Sequence, residues 1–248
     1  MKLGKFPAKI DRRTILLGDV APSLPEPIDL IDWYRGISSW GVMGNDVHGD
    51  CTCAALGHAE QTITANCPEM SELTPTDKQV LQLYAQACGW DPTQPWTDRG
   101  GFEIDVLNFV RKNDLFGVDS LLGYAAVDPH NLTHIKQAIA YFGGVYIGLQ
   151  LPDSAVSGDL VAASWNLSGT IKPNPYNGHA VWIAGYNATG PLCCSWGAVK
   201  QASWAFFEAC CDEAYALLLK NWLAQYGSMS GMTVVAEAMQ NALQRLTG

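Results

Sequence analysis

Two short segments, far apart in the chain, constrain its fold more than any other feature. The first is Gly49-Asp50-Cys51-Thr52, which opens an Ala-rich stretch. The second is Gly178-His179-Ala180-Val181, which opens the apolar run HAVWIAGY and is soon followed by Ser195-Trp196-Gly197. A cysteine that starts a helix and a histidine that starts a buried strand form the layout of a thiolate–imidazolium pair. The members of such a pair lie apart in sequence and meet only in the fold. The chemistry open to the pair is attack of a thiolate on an acyl carbon.

The spacing predicts a helix over residues 51–66, with Ala54, Ala55, Ala59 and Ile63 near helical intervals. Asp50 is the candidate N-cap. A helix N-terminus and a neighbouring imidazolium both lower a thiol's pKa, so Cys51 is the candidate nucleophile and His179 its base. Cys53 is the competing thiol, but it lies about 200° around the helix from Cys51, so only one of them faces a cleft. The Gly-x-Cys pattern favours Cys51. Taken alone, a cysteine at a helix start is a small buried hydrophobe; the histidine segment is what gives it a chemical reading. His58, nearly two turns along, reads as a structural or surface residue. His48 lies in the preceding loop near the cleft, and His130 and His134 read as solvated residues of a surface helix.

Four motifs together resemble those of the papain-like cysteine peptidases. Gly49-Asp50-Cys51-Thr52 is similar to that family's Gly-Ser-Cys-Trp segment. His179-Ala180-Val181, with Ala184-Gly185-Tyr186 behind it, resembles its His-Ala-Val and Val-Gly-Tyr. Ser195-Trp196-Gly197 resembles the end of its Asn-Ser-Trp-Gly motif. Arg99-Gly100-Gly101-Phe102 resembles the Asn-Gly-Gly-Tyr segment lining its substrate cleft. The order and separations fit from about residue 30 to residue 220. The resemblance implies an α+β, two-lobe fold, with a helical lobe that starts with the Cys helix and an antiparallel sheet lobe that carries the His. It implies a thiol protease or amide hydrolase acting through an acyl-thioester intermediate on a peptide or protein substrate. Trp196 would shield His179, and Gly100 and Gly101 would line the cleft.

The supporting residues depart from the family pattern. The position of the oxyanion-hole Gln holds Asn45, whose stem is one methylene shorter. The position of the Asn that orients the imidazole holds Cys194, and a thiol replaces that amide poorly. Thr52 stands where a bulky aromatic is usual. Two readings follow. In the first, Cys51 and His179 are live, with Asn45 and the Cys51 N–H stabilising the oxyanion and Cys194 and Trp196 in support. Loss of one oxyanion donor costs about 3 kcal/mol of barrier, or about 10²–10³ in rate, so a weakened hole slows the reaction without abolishing it. In the second, the fold is a catalytically silent module (a pseudoenzyme) used for binding, structure or assembly, since fold does not imply function.

Composition narrows the partners. A chain of 248 residues with 48% hydrophobic and 16% charged residues fits one compact domain with two lobes. The formal net charge of −9 argues against nucleic acid. No stretch reaches the roughly 20 apolar residues of a membrane span, and the first residues carry no apolar run of a secretory signal. Eight cysteines, including the adjacent pairs Cys193-Cys194 and Cys210-Cys211, are awkward for bridges and suggest reduced thiols in a cytoplasmic compartment. Cys51-x-Cys53 lacks metal-ligand spacing, so neither a metal nor another cofactor is expected.

The chain divides into an extended arm (1–30), a main domain (31–226), and a hinge with an amphipathic helix (227–248). Thr76 to Gln79 is a capping-box pattern for a further helix. Helices are also expected at 103–112 and from an Asp128 N-cap to about Phe142. Strands are expected at 117–127, 144–151, 179–186, 192–196 and 215–220, with a long loop at 152–178. The last helix, 233–246, presents Val235, Met239, Leu243 and Leu246 on one face. That helix packs back on the body or docks on a partner, and the arm drapes over the cleft or reaches a neighbour. Two such appendages also fit a homo-oligomer or larger assembly.

Overall fold

The structure, a computed structural model, describes residues 2–21, 24–157, 159, 163–167 and 169–247, with side chains described as far as Asn241. In chain order the helices are α1 (Leu17–Val20), α2 (Cys51–Asn66), α3 (Asp77–Cys88), α4 (Glu103–Val110), α5 (Leu132–Tyr141), α6 (Trp204–Cys210), α7 (Lys220–Tyr226) and α8 (Met232–Thr247). The strands are β1 (Ile31–Asp32), β2 (Leu121–Ala126), β3 (Val145–Gln150), β4 (Gly178–Tyr186), β5 (Pro191–Ser195), β6 (Ala198–Gln201) and β7 (Cys211–Leu219). The strands form one antiparallel sheet in the order β2-β7-β3-β4-β5-β6, with β1 paired to β4. The fold is thus α+β.

The central strands are apolar at nearly every position because both sheet faces are covered. Successive side chains of a strand point to opposite faces. On β4, Val181 and Ile183 enter one core, while Ala180, Trp182 and Ala184 enter the other. The first core is closed by α1, α5, α6 and α8, through Leu17, Ile135, Ile139, Phe206, Phe207, Val235 and Met239. The second is closed by α2, α3, α4 and α7, through Ala55, Leu56, Ile63, Val80, Leu107 and Trp222. Helix α2 is buried over nearly its whole surface, from Cys51 to Thr64. Its small residues let its backbone approach the sheet, and Tyr146 of β3 donates its hydroxyl to the Thr52 carbonyl at 2.9 Å.

The longer elements fall where periodicity puts them, and several details differ. Asp50 occupies the N-cap position of α2, where its carbonyl accepts from Cys53 and Ala54, but its carboxyl makes no cap bond and instead accepts from Asn45. Helix α5 is capped by Asn131, whose Oδ1 accepts from the His134 N–H, while Asp128 closes a preceding turn on His130. Helices α1, α6 and α7 and strands β1 and β6 are short and carry no strong period, and none of them was expected from the sequence. Strand β7 starts at Cys211, so Cys210 and Cys211 straddle a helix–strand junction. By contrast, the Thr76–Gln79 capping box of α3 forms as expected. Helix α8 packs back on the body, with Val235 and Met239 buried; Leu243 and Leu246 lie outside the described side chains.

Trp222 ties α7 to the second core. Its indole N–H donates to the Tyr141 carbonyl at 2.8 Å, and its ring meets Trp33 edge-on with centroids 5.1 Å apart. Trp222→Ala removes a fully buried indole together with its hydrogen bond. Chemical denaturation is expected to show a loss of about 3–5 kcal/mol.

Candidate functional site

Helix α2 and strand β4 meet at the first residue of the helix. Cys51 is 1% exposed, and its Sγ accepts from the Ala180 N–H at 3.4 Å. His179, the residue before Ala180, is therefore carried to the same place. Its Nε2 lies 2.7 Å from Ser195 Oγ at the end of β5. Trp196 stacks on the imidazole with centroids 4.2 Å apart and planes at 20°, and Trp165 meets it edge-on. Among the described residues the His179 Nδ1 has no hydrogen-bond partner, and no hydrogen bond joins the imidazole to Cys51 Sγ.

The surroundings hold both groups neutral. Burial pushes the Cys51 thiol up to about 12; the Ala180 N–H opposes this, and the Asp50 and Glu103 charges add to it. Burial pulls His179 down to about 3, helped by the charges of His58 and Lys200. Asp50 sits beneath the nucleophile loop, 0% exposed, and burial raises its carboxyl to about 8 although Asn45 donates to it.

The other residues singled out from sequence are placed as follows. Asn45 lies in the loop before α2 and directs its amide to the His48 carbonyl and to Asp50 Oδ1, both at 3.0 Å, so both amide protons are spent within the loop. Cys194 is buried in the second core opposite Trp182 on β4, and burial holds its thiol well above the usual value. The imidazole's partner is instead its neighbour Ser195, which faces the other way on the strand. His58 is a buried structural residue whose Nε2 meets the Gly41 carbonyl at 2.8 Å. His48 packs on Trp90 and approaches Asp98 at 3.3 Å. All eight cysteines are free. No helix among the described residues is long and apolar enough to cross a membrane.

Gly100 and Gly101 border the N-terminal arm, which passes between them and Gly178. Lys2 N–H donates to Asn45 O (2.9 Å), and the Gly4 and Lys5 N–H groups converge on Gly178 O at 3.2 and 3.1 Å. Gly101 N–H donates to Gly4 O (2.8 Å), and Phe6 N–H to Gly101 O (2.9 Å), making a parallel bridge. The approach is so close that a Cβ on Gly4 would strike the Gly49 carbonyl, one on Gly100 the Gly4 carbonyl, and one on Gly178 the Lys5 carbonyl. Gly100 also has φ +98, in the region that favours glycine. Asp98 fastens the entry to this path: its carboxylate accepts from Gly49 N–H, the Tyr84 hydroxyl and Lys2 Nζ. The sequence offered draping over the cleft as one of two roles for the arm. It gave no sign of Ser195 as the imidazole's partner, beyond its place in the Ser-Trp-Gly motif.

Comparison with solved structures places this architecture. Xylellain, a cysteine protease from Xylella fastidiosa, matches with TM-score 0.65 at 16% identity, over 87% of this chain and 95% of that one. The proform of the ragweed pollen cysteine protease Amb a 11 matches with TM-score 0.53 at 18% identity, over 86% and 70% of the two chains. Digestive procathepsin L 3 of Tenebrio molitor larval midgut matches with TM-score 0.56 at 13% identity, over 85% and 75%. No protein-family model and no curated protein sequence matches. The chain has the papain-like cysteine-protease fold, the two-lobe α+β class that its four motifs resemble.

Two expectations follow. The native state binds the Asp50 proton more tightly than the unfolded chain does, so this carboxyl's stabilising contribution is present below about pH 4 and lost as pH rises towards 8. Asp50→Asn keeps an acceptor for Asn45 and cannot ionise; urea unfolding should show its stability rising relative to wild type from pH 4 to pH 8. Gly4→Val cannot fit against the Gly49 carbonyl and should loosen the arm. Labelling of a buried thiol follows the population of the open state, so iodoacetamide should modify Cys51 on the order of tenfold faster, as mapped by mass spectrometry.

Proposed function

We propose that the chain is a cysteine peptidase or amide hydrolase, with Cys51 as nucleophile and His179 as general base and acid, acting through an acyl-thioester intermediate. The observation that carries this reading is the arm. A cleft that passes Gly49, Gly101 and Gly178, beside Cys51 and His179, holds an extended peptide by main-chain hydrogen bonds. A peptide substrate bound through the same groups would lie across the thiol.

Catalysis requires that the arm move and that water or substrate reach the site. Solvent entry removes the main cause of the raised thiol and lowered imidazole pKa values. Proton transfer from Cys51 to His179 would then give a thiolate at the helix N-terminus. Attack on the carbonyl forms the tetrahedral intermediate, whose oxyanion is stabilised by the Cys51 N–H and, once freed from His48 or Asp50, by the Asn45 amide. His179 returns the proton to the leaving amine, and water hydrolyses the thioester. Ser195 holds the ring through Nε2, which leaves Nδ1 as the nitrogen that exchanges protons.

A silent binding or assembly module is the second reading. It is favoured by the two spent amide protons of Asn45 and by the absence of a Cys51–His179 hydrogen bond. Alkylation of Cys51 in the full-length Gly4→Val chain separates the two. A live pair labels rapidly near pH 5, loses that reactivity in His179→Ala, and accompanies turnover of peptide amides. Labelling that rises only near pH 8.5, the ordinary thiol value, and ignores His179→Ala would exclude the hydrolase.

A further inference from the structure

The side chain that the arm sends deepest into the cleft is Lys5, which is 0% exposed. Its Nζ lies 2.9 Å from both Asp212 and Glu213 and 3.0 Å from the Phe6 carbonyl. Glu103, at the start of α4, is also 0% exposed and acts electrostatically on Lys5. Neither Glu103 carboxyl oxygen has a hydrogen-bond partner among the described residues.

The pocket is made by a defect in the sheet. Gly148 of β3 pairs with Glu213 of β7, but the next residue, Leu149, pairs with Cys211. Asp212 is therefore the extra residue of a β-bulge. In a regular strand, neighbours point to opposite faces; at a bulge the strand is re-aimed, and here two consecutive carboxylates both reach one cation. Gly148 leaves the room, because a Cβ there would strike the Lys5 side chain. Tyr215 and Gln150 brace the walls, donating to Glu213 (2.9 Å) and Asp212 (3.2 Å).

We propose that this pocket, walled by Glu103, Asp212 and Glu213 and floored by Gly148, selects a lysine or arginine side chain of a peptide in the cleft, and that Lys5 is its resident occupant. Burying carboxylates without a cation costs several kcal/mol per ion, and burial already raises the Glu103 and Glu213 carboxyls, so an apolar side chain leaves the walls either uncompensated or protonated, whereas a cation lets them ionise. Lys5 Nζ donates to Asp212 and to the Phe6 carbonyl and forms an ion pair with Glu213, and no donor among the described residues reaches Glu103. A guanidinium carries five donors and answers that deficit. The selectivity lies in side chains, so it does not depend on the direction in which a backbone threads the cleft. The proposal gives the substrate class of the hydrolase reading and rests on it only in that the bound peptide is the substrate.

The test uses full-length Lys5→Glu, which places a fourth carboxylate in the pocket, and the milder Lys5→Met. Hydrogen exchange at the Phe6 and Gly101 amides reports arm docking. Calorimetry then measures binding of capped peptides of residues 3–8 with lysine, arginine or norleucine at the fifth position. Both variants should exchange these amides faster, and the lysine and arginine peptides should bind about tenfold or more tighter than norleucine, as expected for a charge-assisted contact. Undiminished protection in both variants would overturn the proposal, as would equal binding of all three peptides or binding of none. If Lys5→Glu fails to fold, Lys5→Met carries the same comparison. Binding is read without any chemistry at Cys51. Peptide discrimination with an inert thiol therefore removes only the hydrolase reading, and a live thiol with no discrimination removes only this one.

Discussion

The structure depends on one close packing, that of α2 against β4. Burying a helix on nearly all sides requires that its residues be small where it meets the sheet, and Cys51, Ala54, Ala55 and Ala59 meet that requirement. The contact of Cys51 Sγ with the Ala180 N–H is its outermost point. Because the helix cannot slide without opening the second core, the positions of the thiol and of the strand bearing the imidazole are set by the same apolar packing that holds the domain together. Glycines then bring the arm within hydrogen-bonding reach of both lobes.

Much of this was legible in sequence because it follows from short-range rules. The period of α2, the unbroken apolar run of β4 and the Thr76–Gln79 box each report their own local structure. The two anchor motifs named the lobes, and the papain-like fold follows from their order. What could not be read is what depends on tertiary placement. Asp50 looks like a cap, but its carboxyl is claimed by Asn45 five residues back. Cys194 looks like the imidazole's neighbour, but the alternation of β5 sends its thiol into the second core and turns Ser195 towards His179 instead. Lys5 looks like one more surface lysine of an extended arm. Its burial depends on a bulge in β7, and no local pattern distinguishes Asp212-Glu213 from two consecutive surface acids.

The electrostatics of the site are those of a closed state. Thiol, imidazole and the Asp50 carboxyl are all displaced in the direction of neutrality, and burial is the first cause in each case. Burial raises Glu103 and Glu213 in the same direction, and the Lys5 ammonium opposes that shift at both. The cleft is therefore polar at the pocket and apolar at the thiol, and a peptide entering it meets both environments within a few residues.

The arm is covalently joined to the domain it covers, and this changes the arithmetic of access. A tethered segment competes at an effective concentration set by its leash, of order millimolar for a short one, whatever the protein's abundance. Dilution does not release it, and a free peptide at micromolar levels must bind far more tightly per molecule to displace it. Occupancy of the cleft is thus an intrinsic property of each chain. It can be altered by changing the arm's own fit or by cutting the tether, but not by changing how many copies are present.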